Sequence, residues 1–371
     1  MNKNVLFIHH VSCLAGAERY LISLIEALDK GYQVFFICQE PGPLSEKLIN
    51  LGVTVKYLRL GAWRKLSHLP TNLGTLKTII DFCKQHHIDL ICSNNYRVSS
   101  YAIWPAKFLG IPSITIIQDF IPRHKLWKFN TFQSDCLITV SNSIAVAVSQ
   151  YFSKKIVNIY NGIDLASLRK HSKPTDVLRE EFPVLKGKKI VGMVAHIIPL
   201  KGHKVFLQSL QGIAKHFNDV MLVIIGDSPN EQQLSLEDIK TFARSLNLED
   251  RVVFTGARSD VLDLMKSFNI LVHPSYKEAF GRVIMEAMAL GVPVVATACG
   301  GPEEIIEDGK SGFLIPIGDE RQLANRVEML LQDQEKIKLI GLNGQKRIAE
   351  YFSIQQTVVQ INKVFEEVLK K

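Results

Sequence analysis

The stretch SYKEAFGRVIMEAMALGVPVVAT, residues 275–297, sets two carboxylates eight residues apart, Glu278 and Glu286, with a Phe-Gly turn between them. The Ala- and Met-rich segment that follows predicts a helix opening near Arg282. The first N–H groups of a helix lack intrahelical partners, and with the helix dipole they form an anion site. Here those groups are the amides around Gly281, Arg282 and Val283. Gly281 has no Cβ, so a ligand can approach its backbone closely. A carboxylate beside a bound phosphate costs energy. Glu278 at the mouth of the site and Glu286 one turn further in therefore fit better as acceptors for hydroxyl groups. Phosphate in the middle and hydroxyl-rich rings at both ends describe a nucleotide sugar. Taken alone, the spacing also fits an amphipathic helix with a solvent-facing Glu.

Other stretches carry compatible chemistry. VGMVAHIIPLKGHKVFLQSL reads as a strand, a turn at Pro199, and Lys201-Gly202 at a helix start, where the lysine is a point charge suited to phosphate. AGAERYL places Gly16 at the next helix N-terminus after the first strand, a second phosphate approach. YNGID, residues 160–164, is a turn just before a polar joint. No G-x-G-x-x-G fingerprint and no Walker A sequence occurs, which argues against a nicotinamide oxidoreductase.

The elements that must position these groups alternate between short β-branched runs and longer helical patterns. In the first half NVLFIHH, QVFFICQ, TVKYLRL, LICSNN, SITIIQD and CLITVS read as strands, with helices near 16–29, 43–51, 71–86, 98–109 and 141–150. In the second half KIVGMVAHI, VMLVIIGD, VVFTGA, ILVHPS, PVVAT and FLIP read as strands, with helices near 203–216, 232–246, 260–267, 282–290 and 301–307. Such alternation predicts parallel sheets covered on both faces, and two consecutive blocks predict two domains. The joint is placed near 165–188, a polar, charged stretch broken by two prolines. The last segment, IQQTVVQINKVFEEVLKK, reads as a charged amphipathic helix.

At 371 residues the chain exceeds one ordinary core, and 47% hydrophobic with 22% charged residues is a globular composition. Apolar runs such as VLFI and VMLVII are of strand length, far short of a membrane span, and no signal peptide is expected. The six cysteines form no Cys-x-x-Cys pair and read as reduced core thiols of a cytoplasmic protein. The net charge of +8 is uneven: residues 1–172 hold 19 basic against 10 acidic side chains, and residues 173–371 hold 25 against 26. The first half therefore carries the excess and points to an anionic partner or to a solvated basic face.

With these motifs in order, the chain resembles the family 4 glycosyltransferases, retaining enzymes of the GT-B fold. The likeness rests on AGAERYL, VSNSIA, YNGID, VGMVAHIIPLKG, LVIIGD, VVFTGA, HPSYKEAFGRVIMEAMALGVPVVAT, GGPEEII and DGKSGFLIP, nearly end to end. It implies an α/β architecture of two Rossmann-like, doubly wound parallel-sheet domains facing across a cleft. The acceptor domain is placed at residues 1–172 plus 353–371, with the final helix crossing back, and the donor domain at 173–352. The resemblance assigns Glu278 to the sugar hydroxyls, Glu286 to the ribose, and the amides of Gly281, Arg282 and Val283 to the distal phosphate. Lys201 is assigned to the diphosphate, covered by Gly16 of the other domain, and the turn around Gly256 and Arg258 to the base. Ala279 and Phe280, beside Glu278, are expected to shape sugar choice. In such enzymes the leaving phosphate oxygen is thought to take the acceptor proton. Two places depart from the family pattern: His196 stands where an Arg is usual, and Gln118 precedes Asp119 where a His is frequent. A neutral imidazole does not replace a guanidinium fork, although beside a diphosphate it could act as a cation. Gln118 can hydrogen-bond a sugar but cannot shuttle a proton.

No Asp-x-Asp motif accompanies these elements, so neither a catalytic metal nor a cofactor beyond the nucleotide-sugar co-substrate (UDP- or GDP-sugar) is expected. The acceptor is expected to be a glycan or a lipid-linked sugar. WRKLSHL and IPRHKLWKFN interleave basic residues with Trp63, Trp127 and Phe129, which suits peripheral contact with an anionic membrane. No RNA-binding signature accompanies them, and no nucleic-acid partner is expected. Two rival readings remain at this point: a nucleotide-sugar epimerase on the same scaffold, and a catalytically inactive partner subunit.

Overall fold

A computed structural model describes residues 2–61, 69–128, 130–170, 176–229 and 234–370. The chain divides into two compact units, residues 1–163 with 354–371 and residues 164–353. The division falls nine residues before the expected 172/173 boundary and one residue after the expected 352/353 boundary. Ile163, buried at the end of the first unit, accepts the backbone N–H of Ile354 at 2.9 Å. That bond fixes both crossings of the chain at one point.

In the first unit the strands are β1 (Lys3–Ile8), β2 (Tyr32–Cys38), β3 (Thr54–Tyr57), β4 (Leu90–Ser93), β5 (Ser113–Ile117), β6 (Cys136–Thr139) and β7 (Lys155–Asn158). Its helices are α1 (Gly16–Ala27), α2 (Pro43–Asn50), α3 (Leu69–Gln85), α4 (Ser99–Leu109), α5 (Arg123–Lys128) and α6 (Asn142–Ser149). The strands pair in parallel in the order β3-β2-β1-β4-β5-β6-β7. Central strands such as β5, SITII, are buried along their whole length, because helices cover both faces of the sheet. On one face Leu6, Ile8, Phe35 and Ile37 pack against Ile79 and Phe82 of α3 and Tyr101 and Ala102 of α4.

The second unit begins with α7 (Leu165–Lys170) and α8 (Val177–Glu181), within the stretch expected to be an irregular joint. Asp176 caps α8 by accepting the Arg179 N–H, and Arg179 in turn donates to the Leu185 and Lys188 carbonyls. The polar residues that read as a linker thus close local turns. Strands β8 (Lys189–Val194), β9 (Val220–Ile225), β10 (Val252–Gly256), β11 (Ile270–His273), β12 (Val294–Thr297) and β13 (Phe313–Ile315) form a parallel sheet in the order β10-β9-β8-β11-β12-β13. Helices α9 (His203–Ile213), α10 (Leu236–Ser245), α11 (Val261–Met265), α12 (Arg282–Ala289), α13 (Gly301–Ile305), α14 (Glu320–Gln332) and α15 (Gln334–Tyr351) accompany it. Helix α16 (Ile354–Leu369) belongs to the first unit, as expected of the final segment.

The strands read from sequence are present, and among the described residues six elements that were not read join them: α5, α7 and α8, then β7, α14 and α15. Strand β7 is an edge strand with no fully buried residue, so it carries no apolar run to mark it. Helices α14 and α15 bury Leu323, Val327, Leu330 and Ile340, but charged residues between these positions dilute the stripe. Trp63 and Phe129 lie outside the described residues. Among the described residues no helix is long and apolar enough to cross a membrane.

Candidate functional site

In the second sheet the strand order reverses direction between β8 and β11. Such a switch point opens a crevice at the carboxyl edge of an α/β sheet, the usual place for a ligand. The loop after β8 carries Lys201 and the loop after β11 carries Glu278. The two loops are locked together, since the Tyr276 N–H donates to the Leu200 carbonyl at 2.9 Å. Gly202 follows Lys201 with φ +74°, and a Cβ there would stand 2.0 Å from the Pro274 carbonyl oxygen. Only glycine permits this approach of the lysine turn to the end of β11.

Lys201 Nζ lies 2.6 Å from Glu278 Oε2, and His273 Nε2 reaches the same oxygen at 2.9 Å. Ser275 Oγ stands 3.0 Å from His273 Nε2. Burial would raise the Glu278 carboxyl, but the hydrogen bond from His273 and the charge of Lys201 outweigh it and hold the group well below the usual carboxylate range. The Glu278 backbone is fixed as well: its N–H donates to the Cys299 carbonyl at 3.2 Å and its carbonyl accepts Gly301 N–H at 2.9 Å.

Helix α12 opens as the sequence predicts, with Gly281 as its N-cap at φ +107°. The first helical donors are Ile284 and Met285, both bonded to the Gly281 carbonyl, so the amides of Arg282 and Val283 precede the ladder. Arg282 Nε donates to Glu286 Oε1 at 2.8 Å, four residues on, with both side chains mostly buried. Its Nη1 is buried without a protein partner. Each carboxylate of the spaced pair therefore carries its own cation, on either side of an open helix N-terminus. Such a site offers amides to an anion, with Glu278 held ionised and Glu286 a turn further in as a second hydroxyl acceptor.

The remaining predicted residues of this unit are placed differently. Ala279 and Phe280 are buried, with Phe280 packed at 6.0 Å from the Phe352 ring, so a ligand would meet their backbone rather than their side chains. His196 is exposed in the turn after β8, five residues before Lys201. Gly256 ends β10, three strands across the sheet from β11. Arg258 is engaged on every side: Nη1 and Nη2 reach Glu181 at 2.6 and 2.8 Å, and Nε and Nη2 reach Asp260 at 2.9 Å. Its guanidinium fastens this turn to α8, which leaves the backbone of the turn as the part free to meet a base.

In the first unit, Gln118 and Asp119 leave the carboxyl end of β5. Gln118 donates to Asn94 Oδ1 at 3.2 Å and accepts from Asn161 Nδ2 at 3.1 Å, so its amide is clamped at both ends. Asp119 is exposed and accepts the Phe120 N–H at 2.7 Å. Gly16 is exposed at the first position of α1. Glu18 behind it accepts the Ala15 N–H at 3.1 Å and holds His9 Nε2 at 2.8 Å. The sequence reading missed His273 and the His9–Glu18 pair. A histidine closing an apolar strand just before a loop carboxylate, as in ILVHPSYKE, was the available signal.

A family model described as "Glycosyl transferases group 1" matches residues 175–347, and one described as "Glycosyltransferase Family 4" matches residues 14–167. The chain is 29% identical over 259 residues to N-acetyl-alpha-D-glucosaminyl L-malate synthase of Bacillus anthracis, covering 69% of this chain and 66% of that protein. It thus spans just under two thirds of that relative's length. It is 22% identical over 371 residues to UDP-Gal:alpha-D-GlcNAc-diphosphoundecaprenol alpha-1,3-galactosyltransferase of Escherichia coli, covering 95% and 94% of the two chains. The structure of Anabaena HepE in complex with UDP and glucose superposes with a TM-score of 0.86 at 25% identity, covering 99% of this chain and 100% of that one.

Proposed function

We propose that this chain, which belongs to the family 4-type glycosyltransferases of GT-B fold, moves a sugar from a UDP-sugar to a glycan or lipid-linked acceptor with retention of configuration. The observation that carries the reading is the Lys201–Glu278 pair beside the open N-terminus of α12, at the switch point of the second sheet. UDP as the carrier is supported by the UDP-bound HepE structure, and a lipid-linked acceptor by the name of the Escherichia coli relative. The alpha linkage in both relatives' names is what retention gives from an alpha-linked nucleotide sugar.

In this reading the bond from the anomeric carbon to phosphate breaks and its electron pair passes to the diphosphate. Lys201 and the amides of Arg282 and Val283 oppose the growing negative charge without reorganising. Glu278, kept ionised by His273 and Lys201, orients the sugar hydroxyls and faces the positive charge that develops on the ring. The acceptor oxygen attacks from the face the diphosphate is leaving, and its proton goes to the departing phosphate oxygen. Glu286, backed by Arg282, holds the ribose. Lys201 and the helix amides serve the leaving group, so this reading needs no metal; the excess of basic residues in the first half supports transfer at the cytoplasmic face of an anionic membrane.

A thermal-shift panel of UDP-, GDP- and ADP-sugars tests the reading. A UDP-sugar at a hundredfold excess over its Kd stabilises the fold by about 2.7 kcal/mol. Glu278→Gln should keep UDP binding while turnover of the UDP-sugar falls about 100-fold or more, and Lys201→Ala should weaken both. Excess EDTA should leave turnover unchanged, and NMR of the product should show the donor's anomeric configuration. No stabilisation by any nucleotide sugar, or an inverted product, overturns the proposal.

A further inference from the structure

Helices α3 and α4 turn Ile79, Phe82, Tyr101 and Ala102 into the core, yet their other faces also carry large apolar side chains. Leu73, Ile80, Trp104 and Phe108 line a groove of about 640 Å³. Leu73 is 54% exposed, Trp104 40% and Phe108 68%. A single exposed apolar side chain is ordinary, but several around one groove mark a binding surface.

Two lysines stand over its aromatic side chains. Lys84 Nζ sits 5.6 Å from the centroid of the Phe108 ring, and Lys107 Nζ sits 5.5 Å from that of Trp104. No acidic residue lines the groove, and its polar lining is limited to Lys107 and Asn130. Three residues before Asn130, Trp127 of α5 is also exposed, and Arg123 of the same helix stacks on the exposed Tyr151. The excess positive charge of the chain lies in this half. An extended peptide would bring backbone groups that need partners, and the lining offers few. Hydrocarbon needs none. Ammonium groups held over the exposed rings of an apolar groove match the boundary between acyl chains and phosphates.

We propose that the α3–α4 groove receives the hydrocarbon of an anionic membrane phospholipid, with Lys84 and Lys107 at the level of its phosphate, and so docks the first unit on the bilayer. The proposal deepens the membrane contact in the proposed function and rests on that reading for its purpose. The test is flotation of the full chain with vesicles of phosphatidylcholine, alone or with phosphatidylglycerol. The wild type should float with the anionic vesicles only. Trp104→Ser with Phe108→Ser, and Lys84→Glu with Lys107→Glu, should each lower flotation at least tenfold, because all four side chains lie outside the core. Each preparation is also assayed for its thermal shift with UDP-glucose. A retained shift with lost flotation supports the groove. Unchanged flotation of both double variants rejects it, as does a wild type that does not float. Sedimentation showing that the wild type self-associates and the apolar variant does not would assign the groove to a second copy and also reject it. Loss of the UDP-glucose shift in the wild type, with flotation intact, would strike the transferase reading and leave the groove standing.

Discussion

Lys201 and Arg282 resolve the conflict of two acids flanking an anion site, since each glutamate arrives with a cation attached. The same cluster contains a group held in the opposite sense. His203, at the start of α9, is buried, and both ring nitrogens lack a protein partner. Burial, and then the charges of Lys201 and His273, push its pKa down to about 4. The unfolded chain keeps the ordinary value near 6.5, so below that pH it binds a proton the fold refuses. Stability is therefore lost as pH falls from about 6.5 to about 4, by about 3 kcal/mol in full. Glu278 has a depressed pKa, so its contribution is present above the unfolded carboxyl value and is lost only below it. The window between the two unfolded values thus isolates histidine. Melting followed at about pH 7 and about pH 5 should show a smaller acid loss for the second unit in His203→Leu than in the wild type. Equal losses would mean the buried ring is not the sensor.

At the scale of elements, glycines decide how closely the site loops meet. Gly202 and Gly309 share φ +74°, but a Cβ at Gly309 meets nothing within 4 Å while one at Gly202 strikes the Pro274 carbonyl. Gly309→Ala should cost only the left-handed strain of about 1–2 kcal/mol and leave donor binding intact. Gly202→Ala carries the same strain and must also push Lys201 away from β11. It should melt lower than Gly309→Ala and lose most of the shift given by whichever UDP-sugar stabilises the wild type; equal behaviour of the two variants would detach the lysine turn from the site. Much of this arrangement was legible in the sequence. Strand β9 is an unbroken apolar run, β8, β11 and β12 are apolar except at one end, and the Phe-Gly step before an Ala-rich segment announces α12. What stayed hidden depends on distance along the chain. The capture of Arg258 by Glu181 joins residues 77 apart, and no local pattern announces it. The Lys201–Glu278 contact is equally remote; the family resemblance sent both residues to the donor but did not foresee that they pair. Strand β7 stayed silent because an edge strand without buried side chains needs no apolar signature.

For the molecule as a whole, the decisive element is the last helix, which leaves the second unit to finish the first. Helix α16 buries Ile354, Val358, Ile361, Val364, Phe365 and Val368. Phe365 packs 6.4 Å from Phe7 of the central strand and 5.5 Å from Tyr32, measured between ring centroids. Thr357 Oγ1 donates to the Tyr160 carbonyl at 2.8 Å, and Lys155 pairs with Glu367. Each fully buried side chain of this kind contributes about 1.5–3 kcal/mol, whereas a whole domain is stable by only about 5–15 kcal/mol. Ending the chain after Ser353 therefore removes about as much as the first unit has to lose. Among the described residues, the core cluster of the second unit that runs from Val191 to Ile340 contains no residue of α16. Calorimetry of the truncated chain should show the first unit's transition gone and the second unit's retained, still raised by UDP-glucose. If both transitions persist, α16 is a cover the first unit can do without, and the return of the chain has a different cause.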